Sequence, residues 1–290
     1  MKSRDLANRI EFKIADGFPK IIDNIQSTFG IWHVAAFHDG KFYILFSKEV
    51  ERSEVNLYIS SDGENFIPYE KNPVMRRGNA GEFDDARIEP HGLVFHNGKW
   101  LLYYGGYSWN FKRPIIRYFS KRGRWRVGLA QSSNLTSWEK HPLNPIFSKN
   151  IHVADPRVAK FKDKFFLYYL TSKRGCYVAH SDDGLNWQDY HDNPIFDRIV
   201  SSFLVKEDML IGFCRWGNEG IGVALSNDGF KWIYAKEEPI IKSGMIPPWD
   251  SSGVIWPFLV EAHDALYLYY SVIDNSKIWR MAVAKLYVNY

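Results

Sequence analysis

At 290 residues the chain is long enough to bury a large core, and a net charge of +4 excludes a surface built as a whole to hold polyanions. Two cysteines, Cys176 and Cys214, exclude a disulfide framework and make a reducing compartment the expectation. Aromatic residues reach 17%, with 11 Trp, which suits a site that stacks on sugar rings or bases as well as a core.

The N-terminal stretch MKSRDLANRIEFKIADGF has no apolar core of signal-peptide length. No later segment approaches the ~20 apolar residues of a membrane span. The expectation is a soluble, cytoplasmic protein with no transmembrane segment.

Paired strands then recur along the chain. WHVAAF turns through His38-Asp39-Gly40 into KFYILFS, and HGLVF turns through His96-Asn97-Gly98 into KWLLYYGG. RVAKF leads through Lys162-Asp163-Lys164 to FFLYYLTS, SSFLV through Glu207-Asp208 to MLIGFCRW, and WPFLV through His263-Asp264 to ALYLYYSV. β-Branched and aromatic runs joined by Asn-Gly or Asp-Gly turns read as hairpins. Third strands follow as VNLYIS, RVGLAQS, CYVAHS, GIGVALS and RMAVAKL.

After four of these third strands stands one phrase: SSDGENF at 60–66, SSNLTSW at 132–138, SDDGLNW at 181–187 and SNDGFKW at 226–232. A Pro follows each closing aromatic by 7 residues, at Pro73, Pro145, Pro194 and Pro239. The fourth strand is expected to begin near that aromatic. So regular a recurrence means a repeat architecture. The reading is an all-β, five-bladed β-propeller of four-stranded antiparallel blades, at about 27–74, 84–147, 152–196, 199–241 and 250–290. The fifth repeat ends without the phrase, so a strand near Glu11–Ala15 is expected to complete it and close the ring. No domain boundary is visible within 1–290. Asp62, Asp183 and Asp228 of the phrases read as turn residues that cap their own backbone.

Antiparallel alternation puts the start of each first strand and the loop after each second strand on one face, opposite the phrases. Counted back from Asn97 and Asp163, Glu89-Pro90 and Asp155-Pro156 fall at equivalent places, 8 residues before the turn. Two carboxylates from adjacent blades therefore point at one mouth. Asp84 and Asp85, in FDDAR with Arg87, lie upstream, and Phe83-Asp84 resembles Trp249-Asp250. His33, His91 and Arg157 take matching positions two residues further in. Trp32 and Trp256 stand on the same rim. Trp216 and Glu219 lie in the loop after the fourth blade's second strand, in Arg215-Trp216-Gly217-Asn218-Glu219.

Carboxylates at a concave, aromatic-lined mouth suit glycosidic cleavage, where one acid donates a proton and another must be ionised. Like charge and burial push such a pair's pKa values apart. Glu89 and Asp84 are expected to share acid and base work, with Asp155 gripping the substrate and tuning the acid. Trp32, His33, Asp85, Arg87, His91, Arg157, Trp216, Glu219, Asp250 and Trp256 are expected to bind it. No HxH or HExxH spacing, phosphate loop or GxSxG elbow occurs, so neither a metal nor another cofactor is expected. The stretch 107–126 carries Lys112, Arg113, Arg117, Lys121, Arg122, Arg124 and Arg126 without one acid. It reads as a lid for a carbohydrate that carries an anionic group. The acidic mouth disfavours nucleic acid.

The starts VADPRV, GEFDDARIEP and PPWDSSGVIWP, the LYY second strands and the SxDGxxW–NPI endings resemble the five-bladed propeller glycosidases of families 43, 32 and 68, with relatives in families 117 and 130. The resemblance covers nearly the whole chain. It implies three acids in families 43 and 32, of which Asp155 matches the third-blade Asp. The first- and fourth-blade acids are missing from their usual places. A family 117 likeness implies a His acid, at His33 or His91, and a family 130 likeness implies phosphorolysis. The phrase is also similar to the Asp-box of sialidases, which implies six blades rather than five. The chain reads as a glycoside hydrolase. The alternatives are a phosphorylase or transglycosylase of intracellular glycan metabolism, or a glycan-binding propeller without catalysis.

Overall fold

The computed structural model describes residues 10–48, 53–108 and 124–289. Five antiparallel sheets form the blades of a propeller. Blade I holds β3 (Trp32–His38), β4 (Lys41–Ser47), β5 (Asn56–Ser60) and β6 (Ile67–Pro68). Blade II holds β7 (Arg87–His96), β8 (Lys99–Ser108), β9 (Arg124–Ser132) and β10 (Glu139–Lys140). Blade III holds β11 (Ala154–Phe161), β12 (Lys164–Leu170), β13 (Tyr177–Ser181) and β14 (Gln188–Asp189). Blade IV holds β15 (Val200–Lys206), β16 (Met209–Trp216), β17 (Gly220–Ser226) and β18 (Ile233–Tyr234), with β19 (Ile241–Lys242) also on β17.

Blade V is built from both ends of the chain. Its β20 (Gly253–Ala262), β21 (Ala265–Ile273) and β22 (Trp279–Asn289) are joined by β1 (Glu11–Ile14), which pairs Glu11 with Asn289 and Ile14 with Leu286. That is the closure expected from the missing fifth phrase. The sequence reading did not include β2 (Lys20–Ser27), which continues along β22 from Val283 to Trp279. The other outer strands are broken in the same manner. After β6, β10 and β14 the chain returns to strand three as single bridges, Val55 to Met75, Val127 to Phe147 and Cys176 to Phe196.

The repeated phrase is turn chemistry throughout. Asp62 Oδ1 accepts from the amides of Glu64 and Asn65, Asp183 Oδ1 from Leu185 and Asn186, and Asp228 Oδ1 from Phe230 and Lys231. Asn134 plays the same part in the second phrase. Asn72, Asn144 and Asn193 each bond both backbone groups of one strand-three residue, Leu57, Leu129 and Val178.

The first Tyr of each LYY run clasps the next blade. Tyr103 donates to Gly184 O at 3.1 Å, Tyr168 to Gly229 O at 2.9 Å and Tyr269 to Gly63 O at 2.9 Å, the last across the ring closure. Each hydroxyl is buried with its partner, so removing it strands a carbonyl. Tyr269→Phe is expected to lower unfolding free energy by about 1–2 kcal/mol in urea titration, with activity kept.

Candidate active site

The first strands of blades II to V each carry a register irregularity at the same depth. It falls at His91 between Pro90 and Gly92, at Asp155-Pro156, at Ser201 and at Trp256-Pro257. Bulges re-aim side chains and concentrate beside active sites. Asp155 has φ 51 and Trp256 φ 54, a region that non-glycine residues rarely occupy. Such strain persists where the surroundings over-determine it.

The register corrects the alignment made from sequence. His96 pairs with Lys99 and Phe161 with Lys164, so Asn97 corresponds to Lys162 rather than to Asp163. Both have positive φ, at 49 and 48. Glu89 faces Gly105 as Ala154 faces Leu170, and Arg157 faces Tyr168 as Gly92 faces Tyr103. Glu89 and Asp155 are thus one residue out of step, and Arg157 is the counterpart of Gly92 rather than of His91. In regular strands that offset would turn the two carboxylates to opposite faces. The bulge at Asp155 brings them together instead.

One oxygen of Glu89, a ring nitrogen of His91 and one oxygen of Asp155 lie within 4.8 Å of one another. His91 Nε2 is 3.4 Å from Glu89 Oε2 and 3.4 Å from Asp155 Oδ1. Arg87 Nη2 donates to Glu89 Oε1. Burial pushes the Glu89 carboxyl up to about 8, against the pull of Arg87, with Asp155 pushing the same way. Burial also raises Asp155, while Arg157 and Arg215 hold it down. Burial thus favours the protonated form of Glu89, while the two arginines favour the ionised form of Asp155. Burial and Arg157 depress both histidines, His33 to about 4 and His91 well below the usual imidazole value. Both rings are neutral near pH 7.

The rim is a column of stacked groups. Trp279 stacks on Trp256 at 5.1 Å, and Trp256 lies 5.5 Å from Trp32. The Arg87 guanidinium sits 5.2 Å from the Trp32 ring and 5.0 Å from the Trp125 ring, and Tyr107 lies 5.1 Å beyond Trp125. Trp32 and Trp256 therefore spend their faces on each other and on Arg87, and present edges rather than open platforms. With both faces covered, Arg87 donates only in its plane, where Glu89 lies.

Other predicted residues are placed elsewhere. Asp84 is not gathered with Glu89: its Oδ2 accepts from Lys140 Nζ at 2.6 Å and Tyr104 Oη at 3.0 Å, tying the approach to β7 to the outer strand of its own blade. Blade III repeats this device with the charges exchanged, Lys149 meeting Asp189 and Tyr169. Asp85 binds the Gly81 amide through Oδ2, and Asp250 binds the Met245 and Ile246 amides. Glu219 is exposed in the β16–β17 turn. Trp216 packs against Tyr234 and under the Arg198 guanidinium. Of the basic stretch, Arg124 and Arg126 lie in β9, whereas Lys112, Arg113, Arg117, Lys121 and Arg122 fall outside the described residues. Three members of the site went unassigned in the sequence: Trp125 and Trp279, on third strands, and Arg215, which acts on Asp155 from the end of β16. A basic residue ending a second strand was the available signal for Arg215.

A cavity of about 490 Å³ is lined by first-strand residues of blades II to V, among them His91, Ser201, Phe95, Val205 and Glu261, together with Trp100 of β8. His91, which meets both carboxylates, is part of its lining. Glu89, His91 and Asp155 are also the group among the described residues close enough to hold a metal ion. Arg87 on Glu89, with Arg157 and Arg215 facing Asp155, opposes a cation there.

No protein-family model matches the chain. No curated protein matches it either. Its fold is that of the five-bladed propellers found among glycoside hydrolases. BT0996, solved as an RGII complex, is 15% identical with a TM-score of 0.71, over 98% of this chain and 96% of that one. A thermostable family-43 glycoside hydrolase is 13% identical at a TM-score of 0.69, over 93% and 95%. A member of the GH130 family of mannoside phosphorylases, which contains hydrolases of β-1,2 mannosidic linkages in Candida mannan, is 20% identical at 0.61, over 94% and 93%. Among the described residues no helix is long and apolar enough to cross a membrane.

Proposed function

We propose that this protein is a glycoside hydrolase in which Glu89 is the general acid and Asp155 the ionised partner. One observation carries the reading: a buried carboxyl, Glu89, and a partly buried one, Asp155, come from adjacent blades and share His91, and burial pushes Glu89 up to about 8. The fold shared with family-43 and GH130 enzymes supports it as analogy.

Glu89 protonates the departing glycosidic oxygen while Asp155 attacks the anomeric carbon. The nearest oxygens of the pair lie within 4.8 Å of each other, short of the separation of about 6.5–9.5 Å between carboxyls that a single displacement uses. That approach matches the closer spacing, about 5–5.5 Å, of enzymes that pass through a glycosyl ester and retain configuration. Glu89, now ionised, then takes the proton of the water that hydrolyses the ester. His91 Nε2–H donates to Asp155 and orients it. Asp84, bound to Lys140, has no part in this scheme. The substrate is a carbohydrate, with an anionic group as part of the proposal, and two cysteines without a disulfide favour a cytoplasmic setting.

The test is product formation on a panel of aryl glycosides and oligosaccharides, with the anomer followed by proton NMR. Retained configuration, with turnover indifferent to EDTA and to phosphate, is expected. A metal requirement would move the chemistry to the Glu89, His91 and Asp155 trio. A phosphate requirement would make the reaction phosphorolysis.

A further inference from the structure

Arg87 has a carboxylate in Glu89, but the other two guanidiniums of the mouth do not. Arg157 is 1% exposed and among the largest fully buried side chains. Its Nη1 donates to the His91 carbonyl at 3.0 Å, and its Nε has no partner. Arg215 is held by neutral groups, its Nε on Gly217 O at 2.7 Å and its Nη2 on Asn218 Oδ1. Among the described residues neither guanidinium has a carboxylate within 4.0 Å. Asp155 stands further off and acts on both through space.

A buried cation satisfied by one neutral carbonyl is costly unless an anion completes it. Three guanidiniums, Arg87, Arg157 and Arg215, face two carboxylates, and the histidines between them are neutral. The mouth is thus positive whether or not Glu89 carries its proton. Fixed forks of N–H donors match planar or tetrahedral oxyanions better than they match hydroxyls.

We propose that the sugar bound beside Asp155 carries an oxyanion, a carboxylate or a sulfate or phosphate ester, which Arg215 of blade IV receives while the buried Arg157 of blade III favours it by charge. This rests on the reading of the mouth as a sugar site, and it names the class of sugar. Arg215 positions the anion at the rim, while Arg157 supplies charge from beneath. The basic stretch of blade II is not needed for it.

Calorimetric binding on the whole chain tests this without turnover. The probes are glucuronate- and galacturonate-terminated disaccharides, their neutral hexose counterparts, a sulfated and a phosphorylated hexose, and inorganic phosphate and sulfate. At least one charged sugar is expected to bind about tenfold or more tightly than its neutral counterpart. Arg215→Gln, a change at the rim, is expected to erase that preference, and Arg215→Lys to restore part of it. The sugar acids and the two esters separate the sources of the anion. Equal affinities for charged and neutral sugars, absent binding included, would overturn the proposal. So would a preference that survives Arg215→Gln, or inorganic anions binding as tightly as sugar-borne ones. Charged preference without hydrolysis would sink the hydrolase reading and leave this site standing. Hydrolysis of neutral glycosides without charged preference would do the reverse.

Discussion

Glu89→Gln is expected to lower turnover of a glycoside with an unactivated leaving group by about 10²–10⁴ with KM little changed. Gln fills the same space and still accepts from Arg87, but it has no proton to give. A leaving group that departs readily as its anion needs less help, so dinitrophenyl glycosides should lose far less. Asp155→Asn should be equally poor on both, since it removes the attacking group rather than the proton. That contrast separates the two roles in one set of rates. Equal losses for both variants on both leaving groups would mean that the pair holds the substrate and does not divide the chemistry.

The same carboxyl makes stability depend on pH. Folding raises Glu89 from its ordinary value of 4.5 to about 8, so within that window the folded chain holds a proton that the unfolded chain has lost. Stability from this group is present below 4.5, falls as pH rises, and levels off above about 8. The slope is at most about 1.4 kcal/mol per pH unit. Arg87 and His91 face the carboxyl from β7, and Asp155 and Arg157 from β11. Glu89→Gln removes the dependence. The variant should gain on the wild type steadily from pH 5 to pH 8 in denaturant titrations and then run parallel. Arg87→Gln removes a cation that favours ionisation, so it should move the break to higher pH. A difference between Glu89→Gln and wild type that is flat across this range would mean that Glu89 ionises normally.

The propeller was legible because its signals are local. A phrase of Ser, Asp or Asn, and an aromatic makes the same turn four times, whatever the rest of the blade does. The missing fifth phrase pointed to closure by Glu11–Ile14. The second closing strand, Lys20–Ser27, alternates too weakly to announce itself, since its burial comes from blade packing rather than from its own pattern. At the site, the residue types of the mouth were visible, but their mutual placement depends on bulges. A count from the turns put Glu89 and Asp155 in register, whereas the strands put them one step apart and the bulge at Asp155 undoes the difference. Asp84 looked like a third acid because sequence shows a carboxylate but not the Lys140 ammonium that neutralises it from 56 residues away. Trp32 and Trp256 were legible as rim residues expected to bind substrate, but their packing on each other was not, because stacking between blades leaves no trace in either strand.

Carbon-13 NMR of protein labelled at glutamate side-chain carboxyls, titrated from pH 4 to pH 10, tests the central claim most directly. One carboxyl is expected to titrate near 8, absent in Glu89→Gln, moved up in Arg87→Gln and moved down in Asp155→Asn, where the neighbouring negative charge is gone. If every glutamate titrates in the ordinary range near 4.5, Glu89 is ionised at neutral pH and cannot be the acid.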